Sequence, residues 1–565
     1  MTTPPTARAD VVVVSSGAAT TSVEAAPWWV EGDFPVRQGV AAHPLIDGRA
    51  AMLAMCRAFL SAQQSILLAA WDIHAELEMV RGEDAHVGPD GSPEQNELIA
   101  SLRQDRLSEE AIALWNAGRL QVRDVLGFAA QRGVKVGVLL WETPTISSHI
   151  TNSPEKQRDM LAAVGVDCLL DNSSMKITHL LEALHQKCAV VDGRVAFIGG
   201  IDLTLQANGD YDRWDTHYHP AESPERGSAH TASMHPWHDA HIRLQGPAVA
   251  DVQRNITQRW MEVAARRDGP GWPGALPDEP PAPIAGGAAA QIVRSIPKNT
   301  YDFAPDGIFT IRGAYMRAVS AAQRYIYLES QYLWPEVYRG IDKLAWGGKC
   351  EELVEFLEAL GAALKRGVQV GIVLPDHPNC GRAYTDDGIE LLRTLAVEVN
   401  ASDRLLALTL GADSLSDDVP GGLFYRPVYV HAKVGVVDDR WLTIGSANLN
   451  NRGFGGDAEI NVSLGDASVA TETRLALWME HLQAALPESD RLRDFAAGFE
   501  ALREQSESNF ARVNARQPLQ GHVLPYLTVV DGKRRSAHVD PEHGWLDMLE
   551  GGSGPTPDIY HNRYQ

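Results

Sequence analysis

The chain has 565 residues, 44% of them hydrophobic and 22% charged, and its 50 basic and 73 acidic side chains leave a formal net charge of −23. That length predicts more than one domain with sizeable buried cores. So acidic a field repels polyanions at long range, and a nucleic-acid partner is not expected.

Residues 1–26 are rich in Thr, Ala and Ser, and their one apolar run, Val11 to Val14, follows Asp10 and is too short for a signal-peptide core. They are read as a disordered lead-in without a signal peptide. No apolar stretch reaches transmembrane length. The expected location is the cytoplasm or the membrane periphery, with a non-Sec export route as the alternative.

Residues 27–267 are expected to form a first domain. Arg57 to Ile66 reads as the end of an amphipathic helix running into an apolar strand. Glu76 to Leu120 is an acidic, partly helical insertion, and Arg132 to Leu140 reads as a helix end, a Gly stop and a buried strand. The phrase His185-Gln-Lys187-Cys-Ala-Val-Val-Asp192-Gly193 follows, then the small-residue turn Gly199-Gly200-Ile201-Asp202. Gln206 to Met234 carries Tyr211, Trp214, His217, Tyr218 and His219 among polar residues and is a candidate active-site wall. His217, His219, His230, His235, His238 and His241 lack the helical spacing with a partnering Glu that a zincin site uses, so no metal is assigned. The cysteines Cys56, Cys168, Cys188, Cys350 and Cys380 suggest neither a disulfide framework nor a zinc site.

Residues 268–290 are a linker by their Pro, Gly and Ala content. Residues 291–486 then repeat the first domain in order. Arg317 to Ile326 matches Arg57 to Ile66, Arg366 to Leu374 matches Arg132 to Leu140, and His431-Ala-Lys433-Val-Gly-Val-Val-Asp438-Asp439 matches the first phrase. Its turn is Gly445-Ser446-Ala447-Asn448. Residues 487–565, helical over Arg491 to Arg516, are expected to pack on the second domain. The repeated helix–strand alternation predicts two tandem α/β/α domains with mixed central sheets, related by a pseudo-twofold axis, with the active site at their interface.

Side chains alternate along a strand, so His431, Lys433 and Gly435 share one face while Val434 and Val436 fall on the core side. Two copies bring two imidazoles and two ammonium groups to one phosphodiester. One neutral His can act as nucleophile while the other moves the proton. Each imidazole needs an acceptor for its second nitrogen. Asp239 and Glu459, downstream of the first and second motif, are the candidates. Ser446, Asn448 and the backbone at Gly200 supply hydrogen-bonding groups, and Glu329 and Gln331 alternate on a strand toward the cleft. Trp214, Trp334 and Trp346 are candidates for a lipid-facing rim.

The paired His-x-Lys-x4-Asp strings resemble the phospholipase D superfamily across roughly residues 43 to 485. The flanks His43-Pro-Leu-Ile-Asp47-Gly48, Ala70-Trp71-Asp72-Ile73, Arg213-Trp214-Asp215, Pro236-Trp237-His238-Asp239, Tyr327-Leu-Glu329-Ser-Gln331-Tyr332 and Gly521 to Tyr526 resemble its eukaryotic-type branch. The resemblance implies metal-independent, cofactor-free phosphatidyl transfer through a phosphohistidine. It implies His185 as nucleophile, His431 as general acid and base, and Lys187 and Lys433 as catalytic cations. Asp192 and Asp438 are grouped with the catalytic residues as structural or orienting residues set back from phosphorus, and Arg213 and Trp214 with substrate binding. The expected reaction is hydrolysis of the distal phosphodiester of a phosphatidylcholine-like lipid at a membrane surface, with exchange onto primary alcohols. The alternatives are a phosphatidyltransferase of the cardiolipin-synthase kind and a nuclease or other phosphodiesterase. A catalytically dead lipid-binding or toxin-delivery module is the non-enzyme rival, against which both motifs are intact. Because one chain carries both motifs, a monomer is sufficient.

Overall fold

The computed structural model describes residues 26–143, 151–174, 182–205, 213–214, 237–271, 279–337, 348–376, 382–415, 423–484, 488–515, 517–530, 533–534, 539–540 and 544–545. The strands of the first half are β1 (Arg37–Ile46), β2 (Ser65–Ala70), β3 (Lys135–Trp141), β4 (Asp167–Asp171), β5 (Cys188–Val191), β6 (Val195–Gly199), β7 (Trp237–His238) and β8 (Ala240–Gln245). Its helices are α1 (Asp47–Ser61), α2 (Pro93–Gln104), α3 (Glu109–Asn116), α4 (Val122–Gln131), α5 (Pro154–Ala162) and α6 (Ala248–Arg267). The second half has β9 (Ala288–Ile296), β10 (Ile308–Phe309), β11 (Tyr325–Glu329), β12 (Gln369–Val373), β13 (Leu405–Leu415), β14 (Leu423–Pro427), β15 (Tyr429–Val430), β16 (Val434–Val437), β17 (Trp441–Gly445), β18 (Glu459–Gly465) and β19 (Val523–Pro525). With them run α7 (Thr310–Ala321), α8 (Glu351–Lys365), α9 (Arg382–Glu398), α10 (Ala467–Leu482), α11 (Ser489–Arg493) and α12 (Phe495–Asn514).

Matched sequence makes matched structure. α1 and α7 each stop just before β2 and β11. α4 and α8 each run into a glycine, Gly133 at φ 86° and Gly367 at φ 97°, before β3 and β12. That left-handed backbone is one that only glycine adopts without strain, which is why both helices end there.

The first-half sheet runs in the order β1-β8-β6-β5-β2-β3-β4. The second runs β9-β18-β17-β16-β11-β12-β13, with β19 added at its outer edge. The two orders correspond strand for strand. Within each, only the last three strands of the repeat are mutually parallel, so both sheets are mixed. β1 pairs antiparallel with β9 at Arg37–Ala290 and Val40–Ala288, joining the sheets edge to edge. Among the described residues β4 pairs only with β3, so the joined sheet stays open at that end.

Strand parity decides which side chains meet. Cys188 and Val190 of β5, Val434 and Val436 of β16, and Ile460, Val462 and Leu464 of β18 enter one core shared by both halves. Ala189 and Val191 enter the first half's outer core, and Val437 the second's. The shared core fixes the two sheets against each other and so brings the motif ends together.

Two expectations shift. The segment read as a linker through Ala290 already belongs to β9 from Ala288 onward, because Ala288 and Ala290 are buried against the shared core. The C-terminal helical region is two helices, α11 and α12. Leu492, Phe495, Phe499 and Leu502 from them join the shared core, and Phe495 stacks on Tyr325 with ring centroids 3.5 Å apart. No described helix is long and apolar enough to cross a membrane.

Candidate active site

His185 and Lys187 stand in an extended run immediately before β5, and His431 and Lys433 in the short run between β15 and β16. Sequence periodicity puts them inside the strands. Their backbone groups bond to the last residues of neighbouring strands β6, β17 and β7: Gly199 N–H donates to Lys187 O at 3.3 Å, Gly445 N–H to Lys433 O at 3.3 Å, and His431 N–H to His238 O at 2.7 Å. The alternation survives, and each lysine ammonium folds back to donate to the carbonyl of its own motif histidine.

The two imidazoles are held by carboxylates from opposite halves. His185 Nδ1 lies 2.9 and 3.1 Å from the two oxygens of Glu459, at the start of β18. His431 Nδ1 lies 2.6 Å from Asp239 Oδ2, between β7 and β8. Assigning the Nδ1 proton to the carboxylate side leaves Nε2 of each ring for chemistry. Ser446 does not point at open space: its hydroxyl donates to Glu459 Oε2 at 2.5 Å. Gly200 has a packing reason, since a Cβ there would lie 2.0 Å from Asp239 Oδ1.

Burial first, then Lys187, Lys433 and neighbouring cations, holds both His185 and His431 well below the ordinary imidazole range. Both rings are therefore neutral in the free protein, and an entering anion is the charge that lets one of them carry a proton. Burial and the adjacent Asp457 push the Glu459 carboxyl above its usual range.

The lysine environments differ. Lys187 is 3.1 Å from Asp202 Oδ2, and that carboxylate also takes Arg213 Nη1 at 2.8 Å and the backbone amides of Trp71 and Asp72. Asp202 is thus saturated by protein donors. Its second-half counterpart Asn448 is an amide that donates to Gln331 Oε1, which also accepts from Lys433 at 3.3 Å. Among the described residues no carboxylate pairs directly with Lys433, and burial lowers its ammonium to about 7. Lys433 is the less compensated cation at the site.

Aromatic rings frame the pair. Trp71 packs edge-on to His185 with centroids 5.9 Å apart, and Trp237 lies 4.8 Å from the His431 ring and stacks on Tyr429 at 4.6 Å. The Arg213 guanidinium sits 5.5 Å from Trp71 and 5.0 Å from Trp237, between the two histidines' aromatic neighbours. Tyr429, which also accepts from Gln331 Nε2 at 2.8 Å, had no signal in the sequence beyond its place before the second motif.

Several expected site residues lie elsewhere. Asp192 accepts the backbone amides of Gln63, Gln64 and Ser65, and Asp438 those of Gln323, Arg324 and Tyr325. They tie the motif strand to the start of β2 and β11 and belong to the scaffold, not to the catalytic cluster. Glu329 does not face the cleft. It is fully buried, 2.8 Å from both His238 Nε2 and His481 Nε2, with the Tyr327 hydroxyl at 2.5 Å. Trp214 and Trp334 are buried, against Arg81 and Tyr332, so neither forms an exposed rim. Trp346, Tyr211, His217, Tyr218, His219, His230 and His235 lie outside the described residues. His241 is buried and neutral, burial taking it to about 4.

A family model described as "Phospholipase D" matches residues 114–342 and 425–541, and one described as "Cardiolipin synthase, PLD-like domain" matches residues 316–480. Phospholipase D alpha 1 of Oryza sativa subsp. japonica is 25% identical over 86% of this chain and 70% of its own length. Phospholipase D beta 2 of Arabidopsis thaliana is 25% identical over 73% of this chain and 57% of its own length. A phosphatidylserine synthase of Haemophilus influenzae superposes over 83% of this chain and 96% of its own, at 12% identity and a TM-score of 0.45.

Proposed function

The chain belongs to the phospholipase D superfamily, whose model covers more than half of it, and from that premise we propose that it hydrolyses the distal phosphodiester of phosphatidylcholine-like lipids to phosphatidic acid and free head group. The observation that carries the reading is the crossed pairing of His185 with Glu459 and His431 with Asp239. It anchors both imidazoles at Nδ1 beside Lys187 and Lys433, while burial keeps the rings neutral.

His185 Nε2 attacks phosphorus, forming a P–N bond as the P–O bond to the head group breaks. His431, charged in the presence of the bound anion, gives its proton to the departing alkoxide. Neutral His431 then takes a proton from water, the water oxygen attacks phosphorus, and the P–N bond breaks. Lys187 and Lys433 hold the non-bridging oxygens, where charge grows. His185 is the more exposed imidazole, 12% against 5% for His431, which favours it as the attacking ring. A primary alcohol in place of water gives exchange, and a lipid hydroxyl in that role gives a phosphatidyltransferase. The match of residues 316–480 to the cardiolipin-synthase model supports keeping this second reading.

Incubating the protein with phosphatidylcholine vesicles and 1-butanol, beside a His185→Ala control, tests the reading by lipid mass spectrometry. Phosphatidic acid and phosphatidylbutanol from the wild type alone are expected. No product from a panel of head groups overturns the lipid assignment.

A further inference from the structure

Behind the His431–Asp239 pair lies a buried polar cluster that the proposed chemistry does not use. His238 is fully buried, and both its ring nitrogens meet carboxylates. Nδ1 is 3.0 Å from Asp47 Oδ1 and 3.0 Å from Glu480 Oε1, and Nε2 is 2.8 Å from Glu329 Oε2. Asp47 comes from the start of α1 in the first half. Glu329 ends β11 and Glu480 lies in α10, both in the second half. Asp47 adopts φ 63°, an uncommon conformation for a residue other than glycine, and its Oδ1 also accepts the Asp239 N–H at 3.1 Å. The same main-chain step meets His431 twice. His238 O accepts the His431 N–H at 2.7 Å, and the Asp239 carboxylate takes His431 Nδ1 at 2.6 Å.

We infer that His238 is a positioning residue for the transfer reaction: its imidazole, gripped at both nitrogens by carboxylates from both halves of the chain, fixes the His238-Asp239 step against which His431 is oriented. The inference rests on the function proposed above. An imidazole facing acceptors on both sides must carry both protons. Burial opposes that charge, but Glu329, Asp47 and Glu480 overcome it and hold His238 well above its ordinary range. The titratable groups facing it are Asp47 on α1, Glu329 on β11, and Glu480 and His481 on α10, with Tyr327 and His481 completing the Glu329 bonds. A buried cation with three acidic partners resists rotation, because any other rotamer strands a charge. A glutamine at this position cannot be charged or donate on both sides. The peptide step then loosens, and Asp239 no longer holds His431 in one orientation.

The test is His238→Gln in the full chain. Its kcat, KM and pH profile are measured with short-chain phosphatidylcholine and with bis(p-nitrophenyl) phosphate, beside ring 15N spectra of the histidine-labelled wild type. The expected result is a kcat lower by about 100-fold, the scale of an ångström-level misplacement. KM should change by less than about threefold, since ground-state binding is untouched. The pH profile of kcat should shift, and one wild-type imidazole should stay doubly protonated well above the ordinary imidazole range. An unchanged kcat overturns the inference. So does a lowered kcat with an unshifted pH profile, the mark of a purely structural role. Should the variant fold poorly, the wild-type spectrum decides: a neutral His238, or an equimolar transition metal at His238, Glu480 and His481, overturns it. Diester turnover without lipid turnover refutes the lipid assignment and leaves this inference standing.

Discussion

At the scale of single residues, the carboxylate that holds each imidazole decides which ring nitrogen is free to react. Glu459→Gln and Asp239→Asn preserve shape but replace an acceptor-only carboxylate with an amide whose N–H can face Nδ1 and reverse each ring's tautomer. Each should lower kcat by about 10²- to 10⁴-fold while the protein stays folded, and steady-state kinetics with a soluble diester checks this. Lys433 gives a sharper signature. It has no direct carboxylate partner among the described residues, and its ammonium sits near 7. Its charge is therefore present below that value and lost above it, so affinity for a fixed-charge anion such as sulfate should fall as pH rises through about 7. Calorimetric binding across pH reads this directly, and a pH-independent affinity refutes it. The sequence alone pointed to the two histidines, the two lysines and both acceptors, because duplicated spacing and the need for a tautomer-fixing carboxylate are local arguments. It did not reveal that the acceptors cross between halves. That follows from the shared core, where Val190, Val436 and Ile460 pack together, and strand parity does not say which sheet faces which.

At the scale of elements, the turns after each motif strand carry the lesson. Asp192 and Asp438, at φ 52° and 56°, bond the amides that open β2 and β11. Asp192→Ala and Asp438→Ala should each cost about 1–3 kcal/mol by stranding those amides. The folded variants should keep kcat within about twofold, since no reacting group is touched. Urea unfolding beside turnover separates the two effects, and loss of kcat without loss of stability restores these residues to the catalytic cluster. An Asp followed by Gly or Asp after an apolar run is also an ordinary turn signal, so residue chemistry and the family resemblance both point to a structural or orienting role. Glu329 misled for a different reason. Alternation gave the correct strand, but its partners His238 and His481 lie 91 and 152 residues away, and no local pattern reports that. Gly200→Ala should displace Asp239, because no other atom can occupy a position 2.0 Å from Oδ1. Such overpacking costs about 1–3 kcal/mol, and kcat should fall with it.

At the scale of the whole molecule, two mixed sheets with the same strand order are joined at β1 and β9 and packed through one core, and the candidate site lies where their motif ends meet. Helix ends, glycine stops and strand parity made the α/β repeat legible, since each depends on near neighbours in sequence. The join at β1–β9 was hidden inside a segment whose Pro and Gly content reads as a linker. The joined halves also set the pH response. His238, held above its ordinary value, contributes stability that is complete below about 6.5, the usual imidazole value, and is lost as pH rises through its raised value. The difference in urea midpoint between wild type and His238→Gln should therefore shrink on the alkaline side. The most direct test of the composite site is to trap the covalent intermediate. Wild type and Asp239→Asn are mixed rapidly with a lipid bearing an activated leaving group, quenched in base, and their peptides weighed. The expected result is a phosphatidyl adduct on the peptide carrying His185, more of it in Asp239→Asn because its resolution is slowed, and none in His185→Ala. An adduct on the His431 peptide, or equal adduct in His185→Ala, contradicts it.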